Sequence, residues 1–225
     1  MISAAPQLAG RIAVVTGAAS GIGEACARKL FALGSTLVLS DVNEDRGNSI
    51  VQDLKSKAEP DNKADALFMK VDMSKGDQTK EFSDKVLEKF GASHAIILGR
   101  VINIGSIHSL VASPGKIAYV TLKHGLVGMT KAIAVEGGKY GVTANCICPS
   151  YVRTPLVEKQ IVDQAKLRGI SEAEVIERIM LPDNAVIKRL LEPSEVAEFC
   201  AFLCSDAAQC ITGSEHRIDC GWTSQ

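Results

Sequence analysis

The sequence predicts an α/β fold: a doubly wound, mostly parallel sheet within a single domain spanning residues 1–225. Three observations lead there. Short β-branched runs alternate with helix-spaced stretches along the whole chain. A glycine-rich turn, "TGAASGIG", stands between the first such run and the first helical stretch. The chain has 225 residues, 46% of them hydrophobic, which is enough for one sizeable core.

The elements follow in order. "RIAVVTG" (11–17) is a short β-branched run, and residues 21–34 have helical spacing and stop on a glycine. "STLVLSD" (35–41) is a second strand, and the polar stretch 42–58 a second helix. "ADALFMKVD" (64–72) is a third strand, after which Ser74 is placed to cap a helix running to about Phe90. Then come "HAIILGRVINIGS" (94–106), a helix from about Ala118 to Gly137 and the strand "GVTANCICP" (141–149). A long segment of mixed polarity (153–192), a helix over 194–204 and a last strand-like run, "ITGSEHRID" (211–219), complete the chain. Strands alternating with helices mean βα units, hence a parallel sheet covered on both faces. There is no repeat, low-complexity tract or interdomain linker.

Bulk properties exclude several functions. With 25 basic and 26 acidic side chains the net charge is -1, which gives no electrostatic case for nucleic acid or an anionic membrane. The start, "MISAAPQLAG", does not read as a secretory signal, and no apolar run approaches the ~18 residues of a membrane span. Seven cysteines, an odd number without paired CxxC clusters, predict a reduced, cytoplasmic protein and no metal site. Cys200 and Cys204, one helical turn apart, read as buried thiols. His94, His124 and His216 have no evident chemical partner and read as structural.

The first turn carries chemistry. Gly17, Gly21 and Gly23 permit a tight turn and close approach of backbone to a pyrophosphate, which the N–H groups opening the helix then receive. Asp41 ends the second strand about 20 residues further on, where a carboxylate accepts ribose hydroxyls and repels a 2′-phosphate. No Lys or Arg stands at Ala18, Ala19, Ser20 or Val42 to welcome that phosphate, so NAD is the expected cofactor rather than NADP.

A second cluster lies in the middle of the chain. Ser106 precedes Tyr119 by thirteen positions, and Lys123 follows it by four, which is one turn of the same helix face. Together with TGxxxGIG, this Ser…YxxxK pattern resembles the short-chain dehydrogenases/reductases, over about Arg11 to Trp222. The resemblance implies a Rossmann-like fold and a catalytic set of Ser106, Tyr119 and Lys123. It also implies NAD contacts from Gly17, Ser20, Gly21, Ile22, Gly23, Asp41, Asp72, Met73, Tyr119, Lys123, Val152 and Thr154. A free tyrosine, with a pKa of about 10, is a poor base at neutral pH. A neighbouring ammonium favours its phenolate, so that the group can take the proton of an alcohol.

Two further stretches, "SIHSLVASPGKIAYVTLKHGLVG" and "CICPSYVRTPLVEKQI", resemble the bacterial-type 3-hydroxybutyrate dehydrogenases within that family. This implies a small hydroxy acid as substrate, with its carboxylate met by Lys116, His108 and Gln160 and with Tyr151 in the pocket wall. Residues 153–192 would be the lid, the setting would be ketone-body metabolism, and the assembly a homotetramer.

The sequence departs from the family in three places. Pro149–Ser150 stands for Pro-Gly, and "DCG" (219–221) for "DGG". The third departure is large. Gly17 and Ser106 are only 89 positions apart, and the family's Asn-Asn-Ala-Gly motif and the following helix with its catalytic Asn are both missing. A parallel crossover needs about a dozen residues or more. Gly99 and Arg100 cannot supply one, so "AIIL" and "RVINI" are not both central strands unless they merge. One strand and one crossover helix, a segment of roughly 35–40 residues, are expected to be lost, and the family's dimer interface is expected to be damaged with them. Three readings stand: a working dehydrogenase, a catalytically impaired dinucleotide-binding or interaction protein, and a truncated variant of such an enzyme.

Overall fold

A computed structural model describes residues 7–58, 63–91, 99–181 and 185–224. The chain alternates as the sequence predicts. β1 (Ile12–Thr16) leads into α1 (Gly21–Ala32), β2 (Thr36–Asp41) into α2 (Glu44–Ser56), and β3 (Ala66–Lys70) into α3 (Gly76–Phe90). The second half holds β4 (Arg100–Ile104), α4 (Ile117–Gly137), β5 (Thr143–Pro149), α5 (Pro155–Arg168), the short α6 (Glu172–Val175), α7 (Pro193–Cys204) and β6 (Ser214–Ile218). The segment predicted as a lid is thus α5, α6 and a π-helical turn, Ile176–Met180, around a core of Ile161, Val175, Met180 and Leu190. Ser74 is not the cap of α3. Its hydroxyl donates to Asp72, and the N-cap is Lys75, which makes no side-chain cap bond.

Among the described residues all pairing is parallel, and the strands fall into two groups of three, β1-β2-β3 and β4-β5-β6. Among those strands β1 pairs with β2 alone and β4 with β5 alone. The run 95–98 and His94 lie outside the described residues.

Burial follows the same division. β2 and β5 sit between neighbours and are almost wholly buried, as near-continuous apolar runs in a parallel sheet should be. In β1, Val14 is 47% exposed, and no residue of β4 is fully buried. Among the described residues helix packing joins the halves. α1 lies against α7, and Ala201 of α7 enters the core formed by β1, β2, α1 and α2. Cys26 of α1 enters the core beneath β5 and α7. Arg11 adds a bond from its guanidinium to the Cys204 carbonyl at 2.6 Å, and it pairs with Asp206.

Candidate active site

The dinucleotide turn is built by the backbone. Gly17 and Gly21 have φ of +64° and +55°, which a side chain rarely tolerates. Gly23 has ordinary dihedrals but no room, since a methyl there would stand 2.1 Å from the Gly17 carbonyl oxygen. Ser20, at the N-cap of α1, is exposed and makes no side-chain cap bond. Among the described hydrogen bonds none uses the N–H groups of Gly21, Ile22 or Gly23. Nothing stands within 4 Å of where a methyl on Gly17 would lie. An open turn with free N–H donors and a positive helix end fits a pyrophosphate.

Asp41 sits across that turn. Its two oxygens accept the N–H groups of Ala19 and Asn43, each at 3.0 Å, which fixes the carboxylate while leaving lone pairs for ribose hydroxyls. A cleft of about 750 Å3 opens beyond it at the carboxyl ends of β2 and β3, lined by Val42, Asp72, Gln78 and Phe82. The Ser74 hydroxyl, donating at 2.7 Å, holds the Asp72 carboxyl below its usual range. Met73 is exposed beside it. Ile22 packs into the core against α7, and Thr154 caps α5 within 3.0 Å of where a Gly21 side chain would stand. Val152 is buried in a parallel bridge with Leu191. Turn, carboxylate and cleft thus line one end of the β1–β3 sheet.

The second cluster lies at the carboxyl end of β4. Ser106 follows Gly105, whose N–H is held by the Ile147 carbonyl of β5. It then caps a single helical turn, Ile107–Ser109, in a reciprocal box with Ser109. Lys123 reaches back from α4 and donates to the Ile104 carbonyl at 2.9 Å, with Nζ 5.7 Å from the centre of the Tyr119 ring. His108 is buried, and its ring meets Tyr119 edge-on at 5.8 Å between centroids. Burial, then the charges of Lys116 and His124, lower its pKa. Lys116 stands at the start of α4 with its ammonium 5.8 Å from the centre of the Tyr151 ring. Ser106, His108, Tyr119, Lys123, Lys116 and Tyr151 therefore line one region. Gln160 does not join them by any hydrogen bond and is exposed on α5.

Two participants were not singled out by sequence reasoning. Ser113 bonds the far side of the His108 ring, and Trp222, the chain's one tryptophan, lies 6.3 Å from that ring. The Trp222 indole N–H is buried with no partner among the described residues. Beneath the Ser106 turn, the buried thiols of Cys146 and Cys148 lie 3.8 Å apart on one face of β5. The hydrogen bond between them lowers Cys148 and raises Cys146. All seven cysteines are free. Among the described residues no group of three or more His, Cys, Asp or Glu is arranged for a metal, and no helix is long and apolar enough to cross a membrane.

Such a pair of clusters fits an oxidoreductase of the α/β class, whose dinucleotide lies at the strand ends. Comparison with known proteins narrows the class. A family profile described as "short chain dehydrogenase" matches residues 11–98, and one described as "Enoyl-(Acyl carrier protein) reductase" matches residues 93–223. The D-beta-hydroxybutyrate dehydrogenase of Rhizobium meliloti (strain 1021) is 36% identical over 261 aligned positions, covering 96% of this chain and 99% of that protein. The enzyme of the same name from Cupriavidus necator is 31% identical, covering 97% and 100%. The structure of L-sorbose reductase from Gluconobacter frateurii, complexed with NADPH and L-sorbose, superposes with a TM-score of 0.88 at 24% identity. It covers 99% of this chain and 100% of that one, a likeness of fold. The chain belongs to the short-chain dehydrogenases, oxidoreductases that use a nicotinamide dinucleotide. It is shorter than its relatives. Since 261 aligned positions exceed its 225 residues by 36, at least that many positions face a gap.

Proposed function

We propose that this chain is an NAD-dependent dehydrogenase of a small 3-hydroxy acid, related in substrate to 3-hydroxybutyrate and interconverting it with its keto acid. The observation that carries the reading is the meeting of Ser106, Tyr119 and Lys123 with a cation, Lys116, one turn before the tyrosine. The 31–36% identity to two D-beta-hydroxybutyrate dehydrogenases supports it.

A bound nicotinamide dinucleotide supplies the hydride acceptor. Gly17 to Gly23 and Asp41 would hold its adenosine and phosphate half, with Asp72 and Met73 beside the adenine. Val152 and Thr154, with Tyr119 and Lys123, would hold the nicotinamide half. Tyr119 Oη takes the hydroxyl proton, and the Ser106 hydroxyl holds the substrate oxygen beside it. The Lys123 ammonium stabilises the phenolate. Lys116 is the cation for the substrate carboxylate. The lid formed by residues 153–192 closes over the pocket and brings Tyr151 and Gln160 to the substrate. Free thiols throughout suit a cytoplasmic setting, and the likeness to D-beta-hydroxybutyrate dehydrogenases suits a role in ketone-body metabolism.

Steady-state assays with 3-hydroxybutyrate and NAD or NADP test this. NAD is expected to serve better, Asp41→Ala to narrow the difference, and Tyr119→Phe to lower turnover at least a hundredfold, the scale of one acid–base catalyst. Lys116→Ala should raise KM for the acid more than for an uncharged alcohol. Equal use of NADP, or turnover retained in Tyr119→Phe, overturns the assignment. A second reading, a dinucleotide-binding protein with impaired chemistry, is favoured by the shortness of the chain beside its relatives. It predicts NADH binding by calorimetry without turnover.

A further inference from the structure

No cation stands beside Asp41 along the chain, but one stands beside it across the sheet. Asp41 and Lys70 are register partners in the parallel pairing of β2 with β3. Partners in a sheet project from the same face, so the Lys70 stem leaves β3 next to the carboxylate placed for the ribose hydroxyls. That face is the one α2 covers. Phe68, two residues before Lys70, packs so closely under α2 that a methyl on Gly47 would stand 2.1 Å from its Cε2. Lys70 also lines the cleft beyond Asp41, together with Val42 and Asp72. Its Nζ lies 3.5 Å from a carboxylate oxygen of Glu44, in the first turn of α2. The other lysine lining the cleft, Lys85, is paired with Glu81 of its own helix at 2.7 Å.

We propose that Glu44 is a cofactor-selecting residue: by holding Lys70, it withholds from a 2′-phosphate the cation that would offset Asp41. The inference deepens the NAD-dependent reading and rests on it. Asp41 is not free to turn away from such a phosphate, because the N–H groups of Ala19 and Asn43 hold both its oxygens. Whether the phosphate is tolerated therefore depends on the cations within reach. A lysine ammonium is a compact charge on a flexible four-carbon stem, well suited to follow a phosphate. In this chain Glu44 engages it instead, and the neighbouring Asp45 adds a second negative charge to the same helical turn. Both partners of the pair are more than half exposed, so it contributes little to stability, and substitution at either position leaves the fold intact. The role of the pair is thus readable in nucleotide choice without a confounding loss of structure.

Calorimetric titration of the intact chain with NADH and with NADPH tests this without any turnover. Glu44→Gln is expected to tighten NADPH relative to NADH about fivefold, the scale of one charge acting across a partly screened surface. The same substitution made in a Lys70→Ala background is expected to leave the ratio nearly where Lys70→Ala alone puts it, because the cation it would release is gone. Raising the salt to about 1 M, where the Debye length is ~3 Å, is expected to erase the gain, whereas a change in the shape of the cleft would survive it. No gain in Glu44→Gln, an equal gain for NADH, or a gain that persists without Lys70 or in high salt overturns the inference and leaves the NAD reading intact. A preference of the unaltered chain for NADPH overturns that reading, while the dependence of the Glu44→Gln gain on Lys70 still decides this one.

Discussion

A methyl group at position 23 would stand 2.1 Å from the Gly17 carbonyl oxygen and 2.7 Å from its carbon, both backbone atoms that cannot swing aside. Gly23 is thus a requirement of the turn itself, independent of any cofactor. Gly23→Ala is expected to force the turn open, to lower the thermal midpoint by several degrees and to abolish NADH binding. Calorimetry and a melting curve check this, and intact NADH affinity in that variant would remove the turn from the binding site. Residues of this kind were legible in the sequence, because a local backbone demand leaves a local signature. Gly17, Gly21, Gly23 and Asp41 announced themselves by spacing, and so did Ser106, Tyr119 and Lys123. Ser113 and Trp222 did not. Both touch His108, and a contact between residues 108 and 222 has no periodicity to betray it.

Helix α7 shows how an element's own chemistry stabilises the site. Its N-terminus carries Glu192 and Glu195 in a reciprocal box, with Pro193 at the first position. Arg189, arriving from the lid segment, meets both oxygens of Glu195 at 2.6 Å. This pair and the Glu192 N–H hold the Glu195 carboxyl down to about 2. An ordinary Glu titrates near 4.3, so the folded state binds its proton later than the unfolded one. The contribution is therefore complete above about pH 4.3 and is lost as pH falls toward 2. Glu195→Gln is expected to lower the urea midpoint at pH 6 and to make little difference at pH 2.5. A constant gap between the two proteins across that range would argue against the ion pair as its source. The pair is partly exposed, so the effect at pH 6 is a modest one. The element bears on the proposed cofactor site because Val152 is bridged to Leu191 immediately before this cap. Sequence spacing located α7 within one residue, since caps and apolar periodicity are local. It did not reveal that α7 packs against α1.

At the scale of the molecule, three observations point to the same place. β1 and β4 each have one partner among the described strands, and their residues are exposed in a way that central strands of a parallel sheet are not. The guanidinium of Arg100, at the start of β4, has Nε and one terminal nitrogen buried without a partner among the described residues. Along α4 only Thr130 and Ala134 are buried, while Ile117 and Val135 are more than 80% exposed and Leu122 is 73% exposed. These are the surfaces that a further strand and its crossover helix would cover. The relatives carry at least 36 positions that this chain lacks, comparable in size to such a unit. The sequence already implied the loss from the spacing of Gly17 and Ser106. It could not show how α1 packs against α7 between the two groups of described strands, because that depends on which packing survives. Covering several large apolar side chains is worth about 1.5–3 kcal/mol each. That sum is comparable with the entire margin of a domain, about 5–15 kcal/mol. Inserting a family-like strand-end and helix between Leu98 and Gly99 is therefore expected to raise the thermal midpoint, suppress association in light scattering and increase turnover of 3-hydroxybutyrate with NAD. If the unaltered chain is already monodisperse, cooperative in unfolding and as active as the lengthened one, the missing segment carries no penalty. The exposed face of α4 would then have to be accounted for by something other than a missing neighbour.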